Sequence, residues 1–169
     1  MNQRNLLVAY MLFATVAVST ATHKWVVRFD GTGPVKIGMS LSDLNAALHE
    51  KFSMPNDKDE HACFYVEHSK YPGVAFMIQE GFVTRVDVDR PEVSTAEGIK
   101  IGDSESRAMQ VYGSKLKVEL HHYTAPEGHY LTVLSSNERY GIRFETDKGK
   151  IVRFYAGQQQ AIALVEGCQ

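Results

Sequence analysis

Ser40 and Ser104 each stand two residues after a glycine, in Gly38-x-Ser40 and Gly102-x-Ser104. A serine on a sharp turn into a helix is the setting of a G-x-S-x-G nucleophile elbow, but here the closing position is Ser42 or Ser106. Helix capping explains both serines without chemistry, so hydrolysis ranks third among the functional readings. Histidines offer a second chemistry. His121, His122 and His129 flank the turn Ala125-Pro126-Glu127-Gly128, but adjacent residues of a strand point to opposite faces, so at most one of His121 and His122 can join His129. A closed zinc site needs about four ligands, and no metal site is expected. Asp57-Lys58-Asp59-Glu60 lacks the glycine and terminal carboxylate of a calcium loop, and Gly31-Thr32-Gly33 runs into Pro34 with no third glycine. No cofactor is expected, and no catalytic residue is assigned.

Cys63 and Cys168 are the two cysteines. Their number is even and they form no C-x-x-C pair, so in an oxidising compartment they are expected to form one disulfide. The start of the chain supplies that compartment. Arg4, the apolar run 6–18 and Ser19-Thr20-Ala21 read as a signal peptide, residues 1–21, cleaved after Ala21. The 13-residue run would reach about 20 Å, short of a ~30 Å hydrocarbon core, and no cysteine follows it for lipidation. The expectation is a periplasmic or secreted protein without a stable membrane anchor.

The 169 residues are 44% hydrophobic and 22% charged, which is globular composition, and the net charge of −2 speaks against a phosphate-tracking nucleic-acid binder. No Lys/Arg block marks an anionic membrane surface.

An internal repeat organises the chain. Lys36-Ile37-Gly38-Met39-Ser40-Leu41-Ser42 returns as Lys100-Ile101-Gly102-Asp103-Ser104-Glu105-Ser106, offset by 64. Gly73, Phe76, Gly81 and Arg85 return as Gly141, Phe144, Gly149 and Arg153, offset by 68; Val83 matches Ile151, and His61 is paired with His129. Two ordered blocks at constant offsets read as a duplication. In each copy a helical period precedes a period of two. Leu41, Leu44, Leu48 and Phe52 predict a first helix over 41–51, with Ser40 and Asp43 as a capping box. Ser104 caps a shorter second helix with Ala108, Val111 and Tyr112 on its apolar face and Gly113 as its stop. Hairpins turn at Glu80-Gly81 and Lys148-Gly149. Strands are expected at 62–68, 117–123 and 130–135, with a leading strand at 25–29 and a turn at Gly31-Thr32-Gly33-Pro34.

The fold class expected is therefore α+β: two tandem helix-plus-antiparallel-hairpin repeats in one compact sheet-and-helix protein. The divisions are 1–21 for the signal, 22–89 for the first repeat with its leading strand, 90–98 for a linker, and 99–169 for the second repeat with its C-terminal tail. The tandem Ile-Gly-Met-Ser helix followed by antiparallel sheet, over roughly 35–157, resembles the β-lactamase-inhibitor-protein-like and SmpA/OmlA-like modules of bacterial envelope proteins. The His122-Tyr123-x-Ala-Pro-Glu-Gly-His segment and the Val165-Glu166-Gly167-Cys168 ending also resemble uncharacterised exported bacterial proteins. The first resemblance implies a binder rather than an enzyme: one member inhibits a secreted hydrolase, and another joins an outer-membrane assembly machine.

The expected function is an exported, non-catalytic binding protein, most concretely an inhibitor or immunity-like partner of an envelope hydrolase, with another envelope or secreted protein as partner. The alternative is a sensor of a small ligand or envelope component. Tyr65, Tyr123, Tyr130, Tyr140 and Tyr155 are candidate contacts on an open sheet face, since aromatics supply large contacts at low entropic cost. The turn has the better case, because loops carry function more often than packed strands. The candidate binding residues are Tyr123, Pro126, Glu127, Gly128, His129 and Tyr130.

Overall fold

Glu80-Gly81 and Lys148-Gly149 take positive φ at both positions, 50° and 82° in one turn and 48° and 74° in the other. This is the primed geometry whose twist suits antiparallel strands, and the glycines adopt it without a Cβ penalty. A computed structural model describes residues 25–57 and 62–168, and there these turns close two long hairpins. One joins β5 (Val74–Gln79) to β6 (Phe82–Val88), and the other joins β10 (Tyr140–Asp147) to β11 (Lys150–Gln158). The expected signal segment 1–21, and His61 with Lys58, Asp59 and Glu60, lie outside the described residues.

Outer strands extend each hairpin. β4 (Cys63–Glu67) pairs with β5, β9 (His129–Leu134) pairs with β10, and β8 (Leu116–Leu120) pairs with β9. The hairpins meet where β6 and β11 pair antiparallel, giving the order β4-β5-β6-β11-β10-β9-β8. At that seam Asp87 faces Tyr155, and Val86 faces Ala156 as Val88 faces Phe154. Asp87 and Tyr155 are themselves 68 residues apart, so the operation relating the halves passes between them. A second sheet has the order β3-β2-β1-β7, formed by β1 (Val26–Arg28), β2 (Gly31–Thr32), β3 (Val35–Lys36) and β7 (Ser94–Thr95). With α1 (Leu41–Leu48), α2 (Glu105–Tyr112) and α3 (Gln159–Ile162), the chain is α+β.

The two glycine-serine segments dock on their own hairpins through matching backbone bonds. Gly38 donates to the Val83 carbonyl at 2.7 Å and Val83 donates to Met39 at 2.8 Å; Gly102 donates to Ile151 at 2.8 Å and Ile151 to Asp103 at 2.9 Å. These bonds tie the block offset by 64 to the block offset by 68. Each hairpin and helix then enclose a separate apolar core. Leu44, Leu48, Phe64, Phe76, Ile78 and Val83 fill the first, and Ala108, Tyr112, Leu131, Phe144, Ile151 and Phe154 fill the second.

Several expectations change. α1 stops at Leu48 because His49 turns left-handed at φ 54°. Asn45 then exchanges two side-chain bonds with the Phe52 backbone, at 2.7 and 2.8 Å, and holds the turned chain in place. α2 is as long as α1, eight residues each, and its Val111 is exposed rather than on the buried face. Residues 90–98 are not a plain linker, since β7 pairs in parallel with β1. Gly31-Thr32 is a strand paired on both sides, not part of a turn. Such short pairings are set by partners distant in sequence, which local patterning does not see.

Candidate binding surface

Alternation along the strands puts Tyr65, Glu67, Arg85, Asp87, Arg143, Glu145, Arg153 and Tyr155 on the face away from the α1 and α2 cores. This face is polar, and the C-terminal tail crosses it. Ala161 and Ile162 of α3 are buried, and the tail ends at the Cys63–Cys168 disulfide on the edge strand β4, linking residues 105 apart in sequence.

Arg85 fastens the tail from below. Its guanidinium donates to both Asp87 oxygens at 2.7 and 2.8 Å, to the Ala161 and Leu164 carbonyls at 3.0 and 2.9 Å, and to the Tyr65 hydroxyl at 2.6 Å. It also lies 4.3 Å from the centre of the Tyr155 ring. Burial opposes its charge, but the Asp87 hydrogen bonds and charge outweigh that, and the guanidinium is held protonated. Burial, followed by the Asp87 charge, pushes the Tyr65 phenol up. Gly167 takes a φ of 71°, and a Cβ there would stand 2.4 Å from the Tyr65 hydroxyl, so the last turn of the tail needs glycine.

The tail separates two concavities. One, of about 370 Å3, includes Tyr65, Glu67, Arg85, Asp87, Arg153 and Glu166 in its walls. The other, of about 430 Å3, lies between the tail and the loop after β8 and is lined by His122, Tyr123, Leu164, Val165, Glu166 and Gly167.

That loop is held from inside. The buried His121 accepts the Tyr123 and Thr124 amides on Nδ1, each at 3.2 Å, which leaves Nε2 to carry the proton in the neutral ring. Nε2 lies 3.6 Å from the Glu145 carboxylate, and the ring packs tilted against Tyr130, with ring centres 4.4 Å apart. The Glu127 and Gly128 amides donate back to the Thr124 carbonyl, and His121 N–H reaches Gly128. Thr124 Oγ1 and the Thr146 carbonyl stand 1.9 and 2.7 Å from where a Gly128 Cβ would be, so no larger residue closes the loop there. The product is a rigid projection with Tyr123 60% exposed at its side.

The six candidate residues separate on this frame. Tyr123, Pro126 and Glu127 are exposed on the loop, whereas Gly128 is buried. His129 turns to the opposite face of the sheet from His121, where its Nδ1 meets Glu105 of α2 at 3.0 Å. Tyr130 is buried beneath His121, and burial pushes its phenol up. Of the other tyrosines, Tyr65 is 36% exposed, Tyr140 is half-buried and Tyr155 is 1% exposed. Ser40 and Ser104 are helix caps, accepting the Asp43 and Arg107 amides at 3.1 and 3.2 Å. Among the described residues, no group of three His, Cys, Asp or Glu side chains is placed to hold a metal, and no helix is long and apolar enough to cross a membrane.

Arg85 is the residue the sequence reading left without a role. Its signal was present, as a charged side chain inside an apolar hairpin that matches Arg153. Two of its partners, the Ala161 and Leu164 carbonyls, come from the tail, far from it in sequence.

No family model matches the chain, and no curated protein matches it. A crystal structure of an extracellular protein containing an SCP domain, from Bacillus anthracis str. Ames, is similar at 12% sequence identity and a TM-score of 0.49. The match covers 97% of this chain and 54% of that one, so this chain spans about half the length of that protein.

Proposed function

We propose that this protein is an exported, non-catalytic binding module, built from two copies of one helix-and-hairpin unit, that docks on another envelope or secreted protein. Its most concrete form is an inhibitor or immunity-like partner of an envelope hydrolase. The observation that carries this reading is the pre-organised loop after β8. Tyr123, Pro126 and Glu127 project from a backbone already tied to His121, Thr124 and Gly128. A rigid projection loses little entropy on binding, and an exposed tyrosine is a common interface anchor. The disulfide fits an oxidising compartment.

The test is affinity capture from envelope extract and culture supernatant with the oxidised chain, compared with a Tyr123→Ala/Glu127→Ala variant. His129 is left intact because it holds α2. The expected result is one stoichiometric partner whose affinity falls about 30-fold or more in the variant and whose enzymatic activity the chain inhibits. Absence of a partner at any salt concentration, or capture indifferent to the variant, overturns the reading. A second reading, a sensor of a small ligand, rests on the concavity of about 370 Å3 beside Arg85 and Tyr65, which is of ligand size. Ligand-induced stabilisation lost in Tyr65→Ala would favour it.

A further inference from the structure

Among the described residues, the outermost strand of the second half carries backbone groups with no neighbour. β8 is an edge strand bonded to β9 alone, in the register Lys117↔Thr132, Val118↔Leu131 and Glu119↔Tyr130. Past its end, the His121 amide donates to the Gly128 carbonyl at 2.9 Å, a bond that continues the same register. Bonding direction alternates along an antiparallel pair. Lys117 and Glu119 therefore turn their backbone groups toward β9, whereas Leu116, Val118 and Leu120 turn theirs outward. The Leu116 amide is used by the Gly113 carbonyl. The Val118 and Leu120 amides and the carbonyls of all three residues face away from the sheet.

The side chains of this edge match themselves when the strand is reversed. Leu116, Val118 and Leu120 share one face; Leu116 packs on the second core, and Val118 and Leu120 are 44% and 63% exposed. Lys117 and Glu119 share the other face, 2.9 Å apart. An edge strand with exposed apolar residues is a template for another strand.

We propose that β8 pairs antiparallel with β8 of a second copy about a two-fold axis at Val118, making a homodimer with one continuous sheet. Val118 then exchanges both bonds with its own counterpart, which its outward backbone allows. Each Leu120 amide meets the partner copy's Leu116 carbonyl. Lys117 of each chain falls opposite Glu119 of the other, at a non-hydrogen-bonded position where side chains are closest, and Leu116 falls opposite Leu120. Other registers lose this match. Centring the axis on Leu120 sets Glu119 against His121 and Val118 against His122. The far edge, β4, has Glu67 as its one charged side chain and its Cys63 bound to the tail, so it has no self-complementary pattern.

Charge reversal tests the register. The secreted, disulfide-intact chain is followed by analytical ultracentrifugation over a concentration series, alongside Lys117→Glu at an exposed site and Glu119→Lys at a half-buried one, 3.7 Å from the Arg143 guanidinium. Each variant alone sets like charges opposite one another twice and is expected to weaken the dimer about tenfold. Mixed together, one chain offers two acids and the other two lysines, and the dimer is expected to return as a heterodimer. Hydrogen exchange on the wild-type chain is expected to show the Val118 and Leu120 amides gaining protection as concentration rises. Those of Lys117 and Glu119 should be protected throughout by β9. A monomer at every concentration overturns the proposal, as does a dimer that the single variants leave intact or that mixing fails to restore. Protection gained elsewhere but not at Val118 and Leu120 overturns it too. Equal thermal midpoints for wild type and variants at a concentration where each is monomeric separate lost pairing from lost fold.

Discussion

Arg85 shows how one side chain can hold two distant segments. Its donors reach Asp87 beside it, Tyr65 on the edge strand, and two carbonyls of the tail. Replacing it with leucine takes the charged donor from the half-buried Asp87 carboxylate, leaving it only the Tyr65 hydroxyl at 3.5 Å, and removes the side-chain donor of the Leu164 and Ala161 carbonyls. Arg85→Leu is expected to lower unfolding free energy by about 3–5 kcal/mol, measured by chemical denaturation. Arg85→Lys should recover only part of that, because an ammonium cannot span the fork of partners. A loss below about 1 kcal/mol would mean that the tail docks without it. Glu50 makes a smaller, pH-dependent tie. The Ser69 hydroxyl, bonded at 2.6 Å, and then His68, at 2.8 Å, hold its carboxyl below the ordinary value of 4.5. Because the folded value is the lower one, this contribution is present above pH 4.5 and lost as pH falls through the folded value. The gap in thermal midpoint between wild type and Glu50→Gln should therefore close on acidification through that range. A gap that stays constant from neutral pH downward would refute the linkage.

The two helices carry caps of different strength in equivalent places. Ser40 accepts the Asp43 amide, and the Asp43 carboxylate accepts both the Ser40 amide at 3.3 Å and its hydroxyl at 2.7 Å, a full capping box. Ser104 accepts the Arg107 amide, but arginine at that position has no acceptor to return the bond. Ser40→Ala is expected to cost about 1 kcal/mol and Ser104→Ala about half that, read from denaturation midpoints at constant slope. Equal costs would show that the reciprocal bond adds nothing. The serines and the helical spacing behind them were legible in sequence because a cap is a local arrangement of three or four residues. The strands and primed turns of both hairpins were legible for the same reason. β7 and the paired strand Gly31-Thr32 were not, since two residues carry no period.

Across the whole molecule, the tail converts two similar halves into one protein. The Cys63–Cys168 bond closes a loop of about 100 residues, for which chain entropy corresponds to ~4–5 kcal/mol, with measured values often smaller. A Cys63→Ser/Cys168→Ser chain is expected to lose about 2–4 kcal/mol of stability and to expose Tyr65 and Tyr155 to solvent, followed by denaturation and tyrosine fluorescence. Unchanged stability would mean that Arg85 alone holds the tail. The amino-acid order by itself determined the α+β class, the two offsets, the hairpin turns and the pairing of the only two cysteines, because period, turn chemistry and parity are properties of neighbours or of counts. It also singled out the projecting loop through Pro126 and Gly128. Only the tertiary structure decided that His121 and His129 lie on opposite faces, that Tyr130 and Tyr155 are buried, and that β6 meets β11 at Asp87 and Tyr155. Which face a strand buries depends on what crosses it, and here the covering segment arrives from the far end of the chain.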